Sequence, residues 1–360
     1  MGDDRERRDT LPEQAVTRKT FDETGVRLSP ENAVRLTATL WTVVVVFAVV
    51  TLLRSDQVGI PLRDPGGAMF RGRLASAVGL LVVLAVGDAV VRTMLGGWSW
   101  RGVAVRIRGA WSRQRIALVG SGLLAYHLVY VCYRNLKSWN AFRAQHDQAL
   151  LAFDRSLFGG HSPAVLLHDL LGQDIAALVL AVVYKSFTYL VPASVVGTLA
   201  LLPRVREAYV FLCSAVWIWI LGVASYYLIP TLGPFASAPS EFAGLSSTPI
   251  TSTQAEYLAE RSHLLAAPGA SDAFASIAAF ASLHVAFTCM VLLMARYYGW
   301  RRTTITLAAY LAAVMVSTIY FGWHFVVDDV AGVLLAVLAV YLGRLMVYPP
   351  GSDRTKAAPR

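Results

Sequence analysis

Charge is what this sequence has least of. Asp, Glu, Lys and Arg make up 15% of its 360 residues, against about 25% in a typical soluble domain, which excludes one large water-soluble enzyme. Lysine is scarce: Lys19, Lys137, Lys185 and Lys356 stand among 32 Lys and Arg, and with abundant Ala, Val and Gly this suggests a GC-rich bacterial genome. The net charge of +9 is scattered between apolar runs and not gathered in one domain. That pattern speaks against nucleic acid as a partner and for a role in setting membrane topology. The three cysteines, Cys132, Cys213 and Cys289, are odd in number and lie in apolar segments, which excludes a disulfide framework and points to buried thiols. No internal period stands out, so a repeat architecture is unsupported. No carboxylate and histidine cluster has the spacing of a zinc or magnesium cage, so neither a metal nor another cofactor is expected. A soluble secreted form is not expected either, because the first apolar run follows a long polar head and reads as a signal anchor.

Apolar residues, by contrast, reach 56%, with a mean hydropathy of +0.53. Runs of about 20 apolar residues recur, each able to cross a hydrocarbon core of about 30 Å as a helix. The expected fold is all-α, a polytopic membrane protein of about eight transmembrane helices. The spans fall near Val34 to Leu53, Leu74 to Leu95, Arg115 to Val131, Asp174 to Leu201, Arg206 to Ile229, Ala275 to Arg296, Thr303 to Phe321 and His324 to Tyr341, and Pro192 is expected to kink the fourth. Most Lys and Arg collect on one side if both termini are cytoplasmic. The resulting organisation is a polar cytoplasmic tail (1–33), two N-terminal helices with a basic cytoplasmic loop (34–114), a six-helix unit (115–346) with extracytoplasmic loops 132–173 and 230–274, and a second cytoplasmic tail (347–360). Trp139 to Gln173 carries an apolar face suited to a helix at the membrane interface. Pro230 to Asp272 is rich in Ser, Thr, Pro and Gly and is expected to be functional or disordered.

Ionisable residues at membrane depth are expensive and are therefore functional candidates. His324 and Asp328 are four apart, which stacks them on one helical face. An Asp there can hold the imidazole Nδ1–H and leave Nε2 as a nucleophile or base, although a merely helix-stabilising pair has the same spacing. His284 is expected at the same depth on the same, extracytoplasmic side. Near the outer end of the third span, Arg134 and Lys137 share a face and are suited to clamp a phosphate, or to anchor the helix at the interface. For His127 an interhelical hydrogen bond is expected. Lys185 and Asp88 either pair or line a polar cleft, and Asp329 caps or faces a polar seam. His146, His161, His168 and His263 are expected to be solvated.

These segments resemble the type 2 phosphatidic acid phosphatase superfamily of membrane phosphotransferases. Its third motif reads Ser-Arg, five residues, His, three residues, Asp. Here Ser317-Thr318, His324 and Asp328 keep that spacing with Thr in place of Arg. Its second motif, Pro-Ser-Gly-His, stands as Ala281-Ser282-Leu283-His284. The Ser-Leu-His form followed by Val285-Ala286, the missing Arg, and the stretches Asp154-Arg155-Ser156-Leu157-Phe158-Gly159 and Tyr189-Leu190-Val191-Pro192 are similar to the inositol phosphorylceramide synthase branch and its bacterial relatives. The first motif, Lys, six residues, Arg-Pro, departs most: only five residues separate Lys137 from Arg143, and Ala144 holds the Pro place. The similarity spans roughly residues 120 to 345.

The resemblance implies a six-helix core with His324, His284 and Asp328 catalytic and Arg134, Lys137, Ser282 and Arg143 binding phosphate. It implies transfer of a phospho-headgroup, such as inositol phosphate, from a phospholipid donor to a lipid or glycan alcohol through a phosphohistidine. The alternatives are a phosphatase acting on phosphatidate or a polyprenyl phosphate, and a non-catalytic lipid-binding or lipid-moving membrane protein. Oligomeric state is not indicated.

Overall fold

The computed structural model describes residues 28–348. Both terminal tails inferred from sequence therefore fall largely outside the described residues. Among the described residues every regular element is helical, and no strand is present. Twelve helices carry the fold: α1 (Pro30–Val58), α2 (Arg73–Met94), α3 (Trp100–Ala110), α4 (Arg113–Trp139), α5 (Asp147–Leu157), α6 (Pro163–Leu171), α7 (Ile175–Leu201), α8 (Val205–Leu228), α9 (Pro249–Ala266), α10 (Leu283–Tyr297), α11 (Arg301–Tyr320) and α12 (Val326–Val347). Seven segments, containing α1, α2, α4, α7, α8, α11 and α12, are long and apolar enough to cross a membrane. The expected sixth span is corrected. Only Leu283–Tyr297 is helical there, and the stretch before it has no regular secondary structure.

That stretch, Ala273 to Ser282, is rich in Ala and would suit a helix, but its N–H groups are claimed by neighbours. Ala275 N donates to Ser138 Oγ (2.9 Å), Ala279 N to Thr231 O (2.9 Å), Phe280 N to Thr231 Oγ1 (3.0 Å) and Ala281 N to Ser225 Oγ (2.9 Å). Buried backbone donors must find acceptors, and here α4, α8 and the Thr231 turn supply them.

Helix ends follow local chemistry. Ser29 caps α1 through Asn32 N, and Gly59, at φ 66, closes it in the left-handed conformation that glycine tolerates. Arg115 puts Nη2 within 2.8–3.1 Å of the carbonyls of Leu199, Ala200 and Leu202, so a cation meets the C-terminal end of α7. α7 itself runs on through Pro192 to Leu201.

α8 is the central post, buried along most of its length and packed against α12, α4, α10 and α7. Close approach depends on glycine at two positions of α12. A Cβ on Gly343 would lie 2.7 Å from Ser214 N of α8, and one on Gly332 would lie 2.6 Å from Ser282 O at the start of α10.

The segment read as functional or disordered is ordered: α9 opens with a capping box, Thr251 N to Thr248 Oγ1 (3.3 Å) and Thr248 N to Thr251 Oγ1 (3.0 Å). α5 matches the interfacial reading on one face, with Phe153 and Leu157 exposed, but its other face buries Asp147, Leu151 and Asp154. The connection between the two N-terminal helices is tied to the core through Arg63. Asn135 of α4 accepts from Arg63 N (2.8 Å) and donates to Arg63 O (2.9 Å), while the Arg63 guanidinium reaches the carbonyls of Pro268 and Ala273.

Candidate active site

α4 runs to Trp139 and so carries Tyr130, Tyr133, Arg134 and Lys137 on one face, at the spacing that stacks residues along a helix. Opposite, α7 offers Tyr184, Lys185 and Phe187, α10 opens with Leu283 and His284, and the turn before α12 presents Trp323 and His324. Together they enclose a cavity of about 220 Å³.

His324 lies in the turn between α11 and α12, not inside a span. The turn is set by Gly322, at φ +67, where a side chain would be strained. His324 Nδ1 is 3.4 Å from Asp328 Oδ2, and the same oxygen accepts from Phe325 N at 3.0 Å. Asp328 thus caps the first turn of α12 and orients the imidazole with one oxygen. Burial, reinforced by the charge of Lys137, pushes the His324 imidazole down to about 3. It is neutral at physiological pH.

The His284 ring is 6.2 Å from that of His324, centroid to centroid. Tyr184 and Phe187 flank it, each at 4.3 Å. Ser282 N donates to the Asp328 carbonyl (3.0 Å), which ties the start of α10 to the start of α12. Two histidines 40 positions apart in sequence therefore face one cavity.

Arg134 sends Nη2 to Ser276 Oγ (3.1 Å) and Nη1 to Tyr130 OH (3.5 Å). Lys137 Nζ stands 5.3 Å over the Tyr226 ring, and Lys185 Nζ donates to Thr253 Oγ1 (3.1 Å). Three cations and two imidazoles lining a cavity without a lining carboxylate make a site for an anion. Among the described residues no group of His, Cys, Asp and Glu has the arrangement of a metal site.

Two of the expected phosphate ligands are placed elsewhere. Ser282 is fully buried as the cap of α10, its Oγ accepting from Val285 N at 3.4 Å. Arg143 is exposed beyond α4 and does not line the cavity. Lys185 and Asp88 do not pair: Asp88 binds Arg92 at 2.8 Å, and Lys185 joins the cavity. His127 Nδ1 meets Leu123 O of its own helix at 2.8 Å. His168 is not solvated. It is buried with Nε2 2.8 Å from Tyr320 O, and Gln254 Nε2 reaches Phe321 O at 2.6 Å from α9. Asp329 faces a polar seam as expected, accepting from Thr318 Oγ1 at 3.0 Å.

The support around the site was not visible beforehand. Asp154 Oδ2 accepts from Val326 N (2.9 Å), so α5 holds the N-terminus of α12 from outside. Asp147 Oδ1 does the same for Leu232 N and Gly233 N, at 2.9 and 2.8 Å. Burial raises both carboxyls above their ordinary range, against the opposing pull of those N–H groups. Their spacing of seven, two turns along one helix face, was the available signal.

A family model described as PAP2 superfamily matches residues 148–342, which include His284, His324 and Asp328 and begin after Arg134 and Lys137. Neither the curated proteins nor the solved structures contain a match to the chain.

Proposed function

The chain belongs to the PAP2 superfamily, a class of membrane phosphatases and phosphotransferases, and on that premise we propose that it transfers a phospho-headgroup from a phospholipid to a lipid or glycan alcohol. The observation that carries this is the pair of imidazoles 6.2 Å apart in one cationic cavity, His324 backed by Asp328. The catalytic unit is then 115–346, and 34–114 is a membrane-embedded addition to it.

The reaction is a double displacement at phosphorus. Nε2 of His324 attacks, the bond from phosphorus to the lipid oxygen breaks, and His284, lowered by burial and by the charges of His324 and Lys137 but protonated when the phosphate anion is bound beside it, gives that oxygen its proton. The acceptor hydroxyl then attacks the phosphohistidine, His284 takes its proton, and the P–N bond breaks to return neutral His324. Arg134, Lys137 and Lys185 offset the charge on the equatorial oxygens. The aromatic wall of Tyr184, Phe187, Trp219 and Trp323 limits water, which favours an alcohol over hydrolysis.

The test is a labelled phosphatidylinositol donor offered to the purified protein with alcohol lipids, followed by lipid separation. Label is expected to appear in a new phospholipid. His284→Ala and Asp328→Asn should lose about 10²- to 10⁴-fold in turnover, the range for removing a general acid or its orienter. His324→Ala should be inactive and should never trap label. Near-normal turnover in His324→Ala and His284→Ala would defeat the assignment, and label released only as water-soluble phosphate with every acceptor would make the protein a phosphatase.

A further inference from the structure

The faces of α4 and α8 turned away from the catalytic cavity line a second one. It lies between α1, α4 and α8, has a volume of about 680 Å³, and is walled by Val46, Phe47, Val50, Trp217, Ile220 and Val223. Tyr226 faces the first cavity and Tyr227 the second, so α8 separates them.

Polar groups gather at one end of this groove. Arg54 Nη1 is 3.3 Å from Gln57 Oε1, and its guanidinium carbon is 5.6 Å from the Tyr227 ring centre. Arg54 Nε is buried with no hydrogen-bond partner. Among the described residues no Asp or Glu lines the groove. At the far end Thr42 spends its hydroxyl on the Ala38 carbonyl of its own helix (2.9 Å). Thr42 to Gln57 is about 22 Å of helix axis, compared with about 15 Å of hydrocarbon in one leaflet.

A half-buried cation whose Nε has no partner and which has no carboxylate beside it among the described residues calls for an anion, and the apolar length beneath it calls for a chain. Only an amphiphile meets both demands. We propose that this groove binds one anionic phospholipid, its phosphate on Arg54 and one acyl chain lying along α1 between Phe47 and Trp217. The site is separate from the catalytic cavity, and it gives α1 a role in lipid recognition.

Trp217 reports on it directly. The full chain is reconstituted in phosphatidylcholine nanodiscs carrying increasing fractions of phosphatidylglycerol or phosphatidylcholine with brominated chains. The Trp217 signal is the difference between the wild type and Trp217→Phe. Brominated phosphatidylglycerol is expected to quench it at a several-fold lower fraction than brominated phosphatidylcholine. Arg54→Gln should erase that preference, Arg54→Lys should keep most of it, and soluble glycerol phosphate should not compete. Equal quenching by the two lipids in the wild type, or an unchanged preference in Arg54→Gln, would overturn the proposal. Competition by glycerol phosphate would make this a site for free phosphate and overturn the lipid assignment.

Discussion

At Thr318, where the resemblance would place an arginine, a buried hydroxyl instead donates to Asp329. The cations of the cavity consequently come from α4 and α7, from Arg134, Lys137 and Lys185. Asp154 shows how a single carboxylate outside the cavity bears on it, since it receives Val326 N beside the His324 turn. Asp154→Ala would leave that N–H without its partner and should cost about 1–3 kcal/mol, read as a lower unfolding temperature in detergent. Its pH dependence has a definite sign. Burial raises the Asp154 carboxyl, so the folded chain binds this proton more tightly than the unfolded one. The resulting stability is present below the ordinary carboxylate range and is lost as pH rises through the raised value. Unfolding temperatures measured from about pH 4 to 8 should therefore slope downward less in Asp154→Asn than in the wild type, and an identical slope would contradict a raised carboxyl. The histidines and Asp328 were legible as residues because ionisable groups in apolar surroundings stand out. Asp154 was not, because in sequence it is one acid among the polar residues of an outer segment.

Between elements, the active geometry depends on how closely α10 and α12 approach. Gly332 leaves the room for it, since a Cβ there would sit 2.6 Å from Ser282 O. Ser282 N in turn donates to the Asp328 carbonyl at 3.0 Å. Gly332→Ala should cost about 1–3 kcal/mol through overpacking. Turnover should fall further than that loss of stability explains, because the shift moves His284 relative to His324. Activity of the folded fraction, separated by size exclusion, checks this, and full activity there would mean that the helix spacing is not what aligns the histidines. The long helices followed from apolar runs and were placed to within a few residues, except where tertiary contacts extended them. α4 was expected to end near Val131 but continues to Trp139, its outer end held by Tyr227 OH on Leu136 O (2.9 Å) and by Asn135. α10 was expected to begin near Ala275, but the hydroxyls of Ser138, Ser225 and Thr231 take N–H groups of that stretch, which is not helical.

Across the whole molecule, the arrangement of Lys and Arg predicts that the cavity opens on the extracytoplasmic side. Ser247 and Thr303 are exposed near opposite ends of the bundle, and the native Cys132, Cys213 and Cys289 are buried. A membrane-impermeant thiol reagent on intact cells should label Ser247→Cys and spare Thr303→Cys, whereas the reverse pattern would invert the orientation. The sequence by itself determined the solvent and the class. Scarce charge and recurring apolar runs require a helical membrane protein, because a bilayer leaves backbone groups no partner but their own helix. The spacing around His284 and His324 singled out the candidate reactive residues, because those motifs are local. Only the tertiary structure decided which cations share the cavity, that Arg143 stays outside it and Ser282 is spent as a cap, and that an Ala-rich stretch is not helical. Those outcomes turn on which donors and acceptors meet across helices far apart in the chain, and local pattern carries no record of such meetings.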